Sequence, residues 1–164
     1  MVLRHGKAEP FAPTDQERRL TDRGREEARA AGERLRSAGV APDHVVVSPA
    51  IRTQETWEEV ASVLGSGLRP VVERAGYAAS LEVLVDALRT LPDDARTVLL
   101  VGHNPVAAHL CHFLDDGAGD PAASAGLMRG LPTSAFAVLE TDVAWSDLGA
   151  ECAQVVAFAY PDPR

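Results

Sequence analysis

The chain has 164 residues, of which 46% are hydrophobic and 24% charged, with a formal net charge of −8. That size suits one domain spanning 1–164 with a single buried core, and the balance excludes a disordered chain or one built around membrane spans. The acidity argues against nucleic acid and anionic membrane surfaces as partners. An anionic substrate would have to be held by a few focused cations in one cleft, so the place of each arginine carries information. Cys111 and Cys152 are far apart, and no basic stretch followed by an apolar one opens the chain. No secretory signal is therefore expected, and the two thiols read as reduced and the location as cytoplasmic.

In chain order, Met1-Val2-Leu3 is an apolar run that breaks into Arg4-His5-Gly6-Lys7. It reads as a strand ending in a tight loop, with glycine allowing the turn and a close approach of a ligand to the main chain. Residues 8–20 hold two prolines and no apolar periodicity, an irregular excursion over the strand ends. Thr21 is an N-cap, and Ala28, Ala31, Leu35 and Ala38 mark the apolar stripe of a helix that Gly39 ends. Its Arg and Glu residues read as a solvated face.

His44 to Ser48 is a β-branched run suited to a strand buried on both faces. Ser48-Pro49 reads as an N-cap and first-turn proline for a helix over 50–64, which puts Arg52 in the first turn. There the side chain and the free amides of the helix end face one cavity, although pairing with Glu55 or Glu59 at the surface is the alternative. A short strand from Leu68 to Val72 leads to Glu73-Arg74-Ala75-Gly76-Tyr77. A helix capped by Ser80 follows, with Val83, Leu84, Ala87, Leu88 and Leu91 on its buried face.

Thr97 to Val101 is the clearest strand, and it stops at Gly102-His103-Asn104-Pro105 before a helix to Leu114. Residues 115–131, rich in Gly, Ala, Asp and Pro, read as a mobile loop. Ser134 to Glu140 and Cys152 to Tyr160 are two more strands, expected as an antiparallel pair, and Pro161-Asp162-Pro163-Arg164 is a tail. Trp57 and Trp145 read as core anchors and His44 as a packing or surface histidine. His109 and His112, beside Cys111, have no acidic or thiol partner at ligand spacing, and Lys7 either lines a phosphate rim or faces water.

Strands alternating with amphipathic helices give an α/β fold: a three-layer sandwich, a mainly parallel sheet of about six strands with helices on both faces. Ligands bind such sheets outside the carboxyl ends of the strands. Arg4 and His5 follow the first strand, Arg52 the second, and His103 the strand at 97–101. Two guanidinium groups suit bidentate recognition of a phosphoryl group. A histidine between them can attack phosphorus while a backbone acceptor fixes its other ring nitrogen, and a second histidine, if protonated, adds positive charge. No metal is expected among arginines that disfavour a cation.

Arg4-His5-Gly6, Leu20-Thr21-x-x-Gly24, Ser48-Pro49-x-x-Arg52 with Gln54 and Thr56 after it, and Gly102-His103-Asn104-Pro105 resemble, as an ordered set, the histidine phosphatase superfamily. The branch is that of the phosphoglycerate mutases. The opening Arg-His-Gly-Lys-Ala and Leu131-Pro132-Thr133-Ser134 resemble its small SixA-like phosphohistidine phosphatases, and the likeness runs from Met1 to about Tyr160. It implies a phosphoglycerate mutase-like fold and a phosphatase acting without cofactor or metal. His5 becomes the transiently phosphorylated nucleophile, and Arg4, Arg52 and His103 become its phosphate pocket.

Two features depart from the pattern. Only Met1 to Leu3 remain for a first strand that is usually longer, so either the central strand is shortened or the start site is a late one. The acidic proton donor that many relatives carry after the third strand has only Glu73 as a candidate here. Without general-acid help, typically worth about 10²–10⁴-fold, good leaving groups gain importance. The leading reading is then a phosphatase for phosphomonoester or phosphoramidate substrates, phosphohistidine first among other phosphoramidates, aryl phosphates and anhydrides, on a phosphorylated protein or a small phosphorylated substrate. A sugar-phosphate or small-metabolite phosphatase or mutase is the alternative, and a catalytically idle phosphate-binding module is the reading from another class.

Overall fold

The computed structural model describes residues 1–78 and 80–160 of the chain. Its strands are β1 (Val2–Arg4), β2 (His44–Val47), β3 (Val71–Val72), β4 (Val98–Gly102), β5 (Phe136–Glu140) and β6 (Gln154–Ala159). They form one sheet in the order β3-β2-β4-β1-β5-β6. The first four strands named in that order are mutually parallel, while β5 runs antiparallel to β1 and β6 antiparallel to β5. The expected hairpin pair is thus present and the sheet is mainly parallel. The helices are α1 (Asp22–Ser37), α2 (Ile51–Leu64), α3 (Ala75–Ala78), α4 (Leu81–Arg89), α5 (Val106–Leu114) and α6 (Pro121–Met128).

The period of two along a strand divides the core between two faces. Leu3, Val45, Val47, Leu99 and Val101 pack with Ala31, Leu35, Trp57 and Val60 of α1 and α2. Val2, Val46, Val98 and Leu100 face the other way, onto residues of α4, α5 and α6. Strands buried on both faces have no polar positions to spare, which is why β2 and β4 read as unbroken apolar runs. Trp145 anchors the second face and donates its indole N–H to the Ala95 carbonyl at 2.8 Å. Both cysteines are free thiols. No helix among the described residues is long and apolar enough to cross a membrane.

Small residues bring α1 close to α2: a Cβ on Gly32 would lie 3.1 Å from the Val63 Cβ. The charged face of α1 is more than solvated, which corrects the reading from sequence. Arg25 bonds Glu55 and Glu59, and Arg29 bonds Glu59, tying the two helices together. Glu55 is almost fully buried and also accepts from the Leu20 amide and from Arg19. Neither glutamate is left to pair with Arg52.

Four further expectations are corrected. Residues 115–131 are not simply a loop, because α6 occupies 121–128. Asp120 caps it by accepting from the Ala123 amide, and Pro121 sits where its missing N–H costs nothing. Its face is made of small residues, since a Cβ on Gly126 would meet the Phe158 ring at 2.5 Å. The third strand is only Val71–Val72, with both side chains about half exposed. On α4, Val83 is exposed, and Val85 lies buried with Leu84 and Leu88. Ser48 does not cap α2: Ala50 holds that position without a side-chain bond. The tail at 161–164 lies outside the described residues.

Thr21 does cap α1, accepting from the Gly24 amide. Gly24 itself is required by contact, because a Cβ there would lie 2.0 Å from the Lys7 carbonyl oxygen. We predict that Gly24→Ala lowers stability by about 1–3 kcal/mol and shifts the loop that carries His5. Thermal melts and turnover of the same sample check this, and both should fall together.

Candidate active site

The carboxyl ends of three parallel strands meet at one edge of the sheet. Arg4 closes β1 and His5 follows it, Arg52 lies in the first turn of α2 after β2, and His103 follows β4. The four candidate residues are brought together there. Arg52 donates from Nε toward His5 Nε2 at 3.4 Å and from Nη2 to His103 Nδ1 at 3.3 Å. The two imidazole centroids are 4.9 Å apart.

Hydrogen-bond logic fixes both tautomers. His5 Nδ1 lies 2.7 Å from the Gly6 carbonyl oxygen, which can only accept, so Nδ1 carries the proton and Nε2 keeps a lone pair. The guanidinium can only donate, so His103 Nδ1 accepts and its Nε2–H donates to Ser48 Oγ at 2.6 Å. Ser48 is fully buried and also contacts Thr53 Oγ1 at 3.2 Å. That role outcompetes the cap expected from Ser48-Pro49.

Gly6 serves packing rather than an unusual backbone angle. Its φ is not positive, and a Cβ on it would lie 2.5 Å from the Gly24 carbonyl oxygen. Its amide donates to Thr56 Oγ1 at 3.0 Å. Arg4 donates from Nη1 to the Leu131 carbonyl, which Asn104 Nδ2 also reaches, while Arg4 Nε is buried without a partner. Buried donors rarely stay unpaired, and Arg4 bears electrostatically on His5 and His103 as Arg52 does, so the two cations together suit an anion. Ser134 adopts φ 56° and donates its amide toward the Arg4 and His5 carbonyls, pinning the loop from below.

Asp15 and Tyr77 were not singled out from the sequence, and both belong to the rim. Arg52 Nη1 donates to the Asp15 carbonyl oxygen at 2.6 Å and Nη2 to Asp15 Oδ2 at 2.8 Å. Tyr77 donates its hydroxyl to the same Oδ2 at 2.7 Å, and Arg18 Nη1 reaches Oδ1 at 2.8 Å. The Tyr77 ring stands edge-on to His103, with centroids 5.4 Å apart. The hydrogen bonds from Tyr77, Arg18 and Arg52 hold the Asp15 carboxyl well below the usual carboxylate range. The Asp15-x-x-Arg18 spacing was the available signal.

Glu73, the acid candidate, turns its carboxylate onto the Ala75 amide at 2.9 Å and caps the start of α3. His109 and His112 are exposed beside buried Cys111, Lys7 is exposed, and His44 is partly exposed near Asp43. No group of three or more His, Cys, Asp or Glu able to hold a metal ion occurs among the described residues.

Burial, opposed by the Gly6 carbonyl and aided by Arg52 and Arg4, lowers His5 from 6.5 to about 4. Burial, then His5 and Arg52, lowers His103 to about 3. Both rings are therefore neutral in the ligand-free site at neutral pH, His103 included. The unfolded chain takes up protons at these positions once pH falls below 6.5, while the folded chain does not until about 4 and 3. Stability is thus complete above the unfolded value and is lost as pH falls through that window. NMR of the ring C–H groups should show neither residue titrating between about pH 7 and about pH 5, and Tm should fall over the same range.

Comparison with known proteins adds three likenesses and one family match. Residues 1–78 match the model of the histidine phosphatase superfamily, branch 1. The phosphohistidine phosphatase SixA of Escherichia coli K12 is 29% identical over 124 residues, 73% of this chain and 76% of that protein. A structure from Nakamurella multipartitia, a candidate phosphohistidine phosphatase SixA, superposes with a TM-score of 0.83 at 30% identity, covering 99% of this chain and 96% of that one. The protein histidine phosphatase SixA complexed with tungstate gives 0.79 at 25% identity, covering 98% and 95%.

Proposed function

Since this chain belongs to the histidine phosphatase superfamily, branch 1, we propose that it hydrolyses phosphohistidine through a covalent intermediate on His5, with no metal taking part. The observation that carries the reading is the His5 ring. Its Nδ1–H is tied to the Gly6 carbonyl, and its unprotonated Nε2 faces Arg52 in a pocket where Arg4 Nε has no partner.

In the first step the His5 Nε2 lone pair attacks phosphorus, the new N–P bond forms, and the bond to the leaving group breaks with its electron pair. Arg4 and Arg52 hold the phosphoryl oxygens in place and offset their charge. A bound dianion favours a proton on His103 Nδ1, which then donates to the transferring group, and Ser48 keeps that ring in place through Nε2. In the second step water attacks phosphorus, the His5–phosphorus bond breaks, and the electron pair returns to Nε2. Inorganic phosphate leaves and the water proton passes to solvent.

The position of Glu73 supports an activated substrate. With one oxygen held by the Ala75 amide, Glu73 is engaged at the start of α3, which favours a leaving group that needs no help from it. The tungstate bound by the related SixA is a tetrahedral oxyanion, in keeping with a phosphoryl pocket. The test is phosphate release from an aryl phosphate and from a phosphohistidine-bearing protein, with EDTA present. Turnover that survives EDTA, with preference for phosphohistidine, is expected. Turnover that EDTA abolishes, or a preference for the aryl phosphate, would overturn the reading.

A further inference from the structure

A guanidinium has two usable edges, and Arg52 uses them for different purposes. The Nε/Nη2 edge faces His5 and His103, where the phosphoryl group would sit. The Nη1/Nη2 edge is taken by the Asp15 carbonyl oxygen and by Oδ2. Asp15 therefore does not compete for the phosphate-facing edge. Its side chain is 49% exposed at the rim, so an acceptor lone pair remains open to whatever enters. Held ionised by Tyr77, Arg18 and Arg52, it accepts protons in hydrogen bonds and does not donate them.

We propose that Asp15 is a specificity-determining residue whose carboxylate accepts the distal N–H of a protonated imidazole leaving group, selecting phosphohistidine over phosphate esters. This rests on the phosphohistidine reading above. The chemistry balances without an acid. The substrate imidazole is protonated on the nitrogen that does not bear phosphorus, so its ring is cationic before cleavage. As the His5–phosphorus bond forms, the P–N bond breaks and its electron pair stays on the departing nitrogen. The ring leaves as neutral imidazole, its distal N–H still donating to Asp15. An ester oxygen would instead gain negative charge beside a fixed carboxylate, an unfavourable pairing. The gain falls on kcat/KM, because Asp15 favours the protonated ring over the neutral one free in solution.

The test compares the whole chain with its Asp15→Asn variant, using phosphoimidazole and p-nitrophenyl phosphate. Loosening of Arg52 affects both substrates, so the ratio of their kcat/KM values isolates the leaving-group effect. That ratio is expected to fall roughly tenfold to a hundredfold in the variant, the size of one charge-assisted hydrogen bond. An unchanged or higher ratio would overturn the inference and leave Asp15 a positioning residue for Arg52. Should the variant be unfolded or inactive on both, the wild type decides with a phosphorylated N-methylimidazole, a cation without the distal N–H. A loss of about tenfold against phosphoimidazole supports the proposal, and equal turnover overturns it. A wild type that hydrolyses the aryl ester but not phosphoimidazole overturns the substrate reading, and this inference with it.

Discussion

His5→Ala is expected to lower turnover by at least about 10⁴-fold while leaving much of the phosphate affinity in place, as removal of a covalent nucleophile does elsewhere. The affinity survives because Arg52 and His103 reach the site from other segments and Arg4, although adjacent in sequence, has an anchor of its own. Arg4 is held by the Leu131 carbonyl, and His103 by Ser48, independently of the His5 ring. The variant also removes a buried neutral imidazole, so the part of the acid destabilisation due to His5 should vanish with it. Steady-state kinetics and phosphate titration by calorimetry on one preparation separate the two effects. Parallel loss of binding and turnover would mean that His5 supports the pocket and is not its nucleophile.

Arg52→Lys should lower kcat/KM by about 10²–10³-fold, the cost of losing a preorganised donor at developing charge. Positive charge is retained, so a simple Coulomb account would expect little change. The guanidinium, however, donates to His5 Nε2, His103 Nδ1, the Asp15 carbonyl and Asp15 Oδ2 from one rigid plane. A single ammonium cannot satisfy that fork. Asp15 would lose an anchor at the same time, so the segment over residues 8–20 should become more accessible to protease. Activity within about threefold of wild type would show that charge alone suffices at this position.

Much of this architecture is legible in the residues because the strands at the centre of the sheet are buried on both sides. Val45 to Val47 and Val98 to Val101 have no solvent face, so composition alone marks them. The strand ends then bring Arg4, His5, Arg52 and His103 to one edge with no further information needed. What escaped reading lacks periodicity. Helix α6 turns small residues toward Phe158 and has no apolar stripe, and only Asp120-Pro121 announces its start. Asp15 opens a 3-10 turn of three residues, Asp15–Glu17, in a segment without apolar periodicity, and its partners come from residues 18, 52 and 77, distances along the chain that no local pattern encodes. Ser48 misled through a genuine rule, since Ser-Pro does open helices. A buried imidazole without another acceptor for Nε2–H made the stronger demand on its hydroxyl.

The same reasoning explains where the Glu73 carboxylate goes in the structure. A carboxylate two residues before a helix amide is well placed to cap it, and Ala75 takes that bond. On the proposed reading, a site that holds two neutral histidines, two arginines and an ionised rim carboxylate before substrate binds suits leaving groups that need no proton. This is the physical link between the geometry and an activated phosphoramidate.

The most direct test of the central claim is to quench turnover of a phosphorus-labelled phosphohistidine substrate in alkali and map the label by peptide mass spectrometry. The account predicts one base-stable, acid-labile phosphoryl group on the peptide containing His5, absent from His5→Ala. Label on another residue, or turnover persisting in His5→Ala, would contradict it.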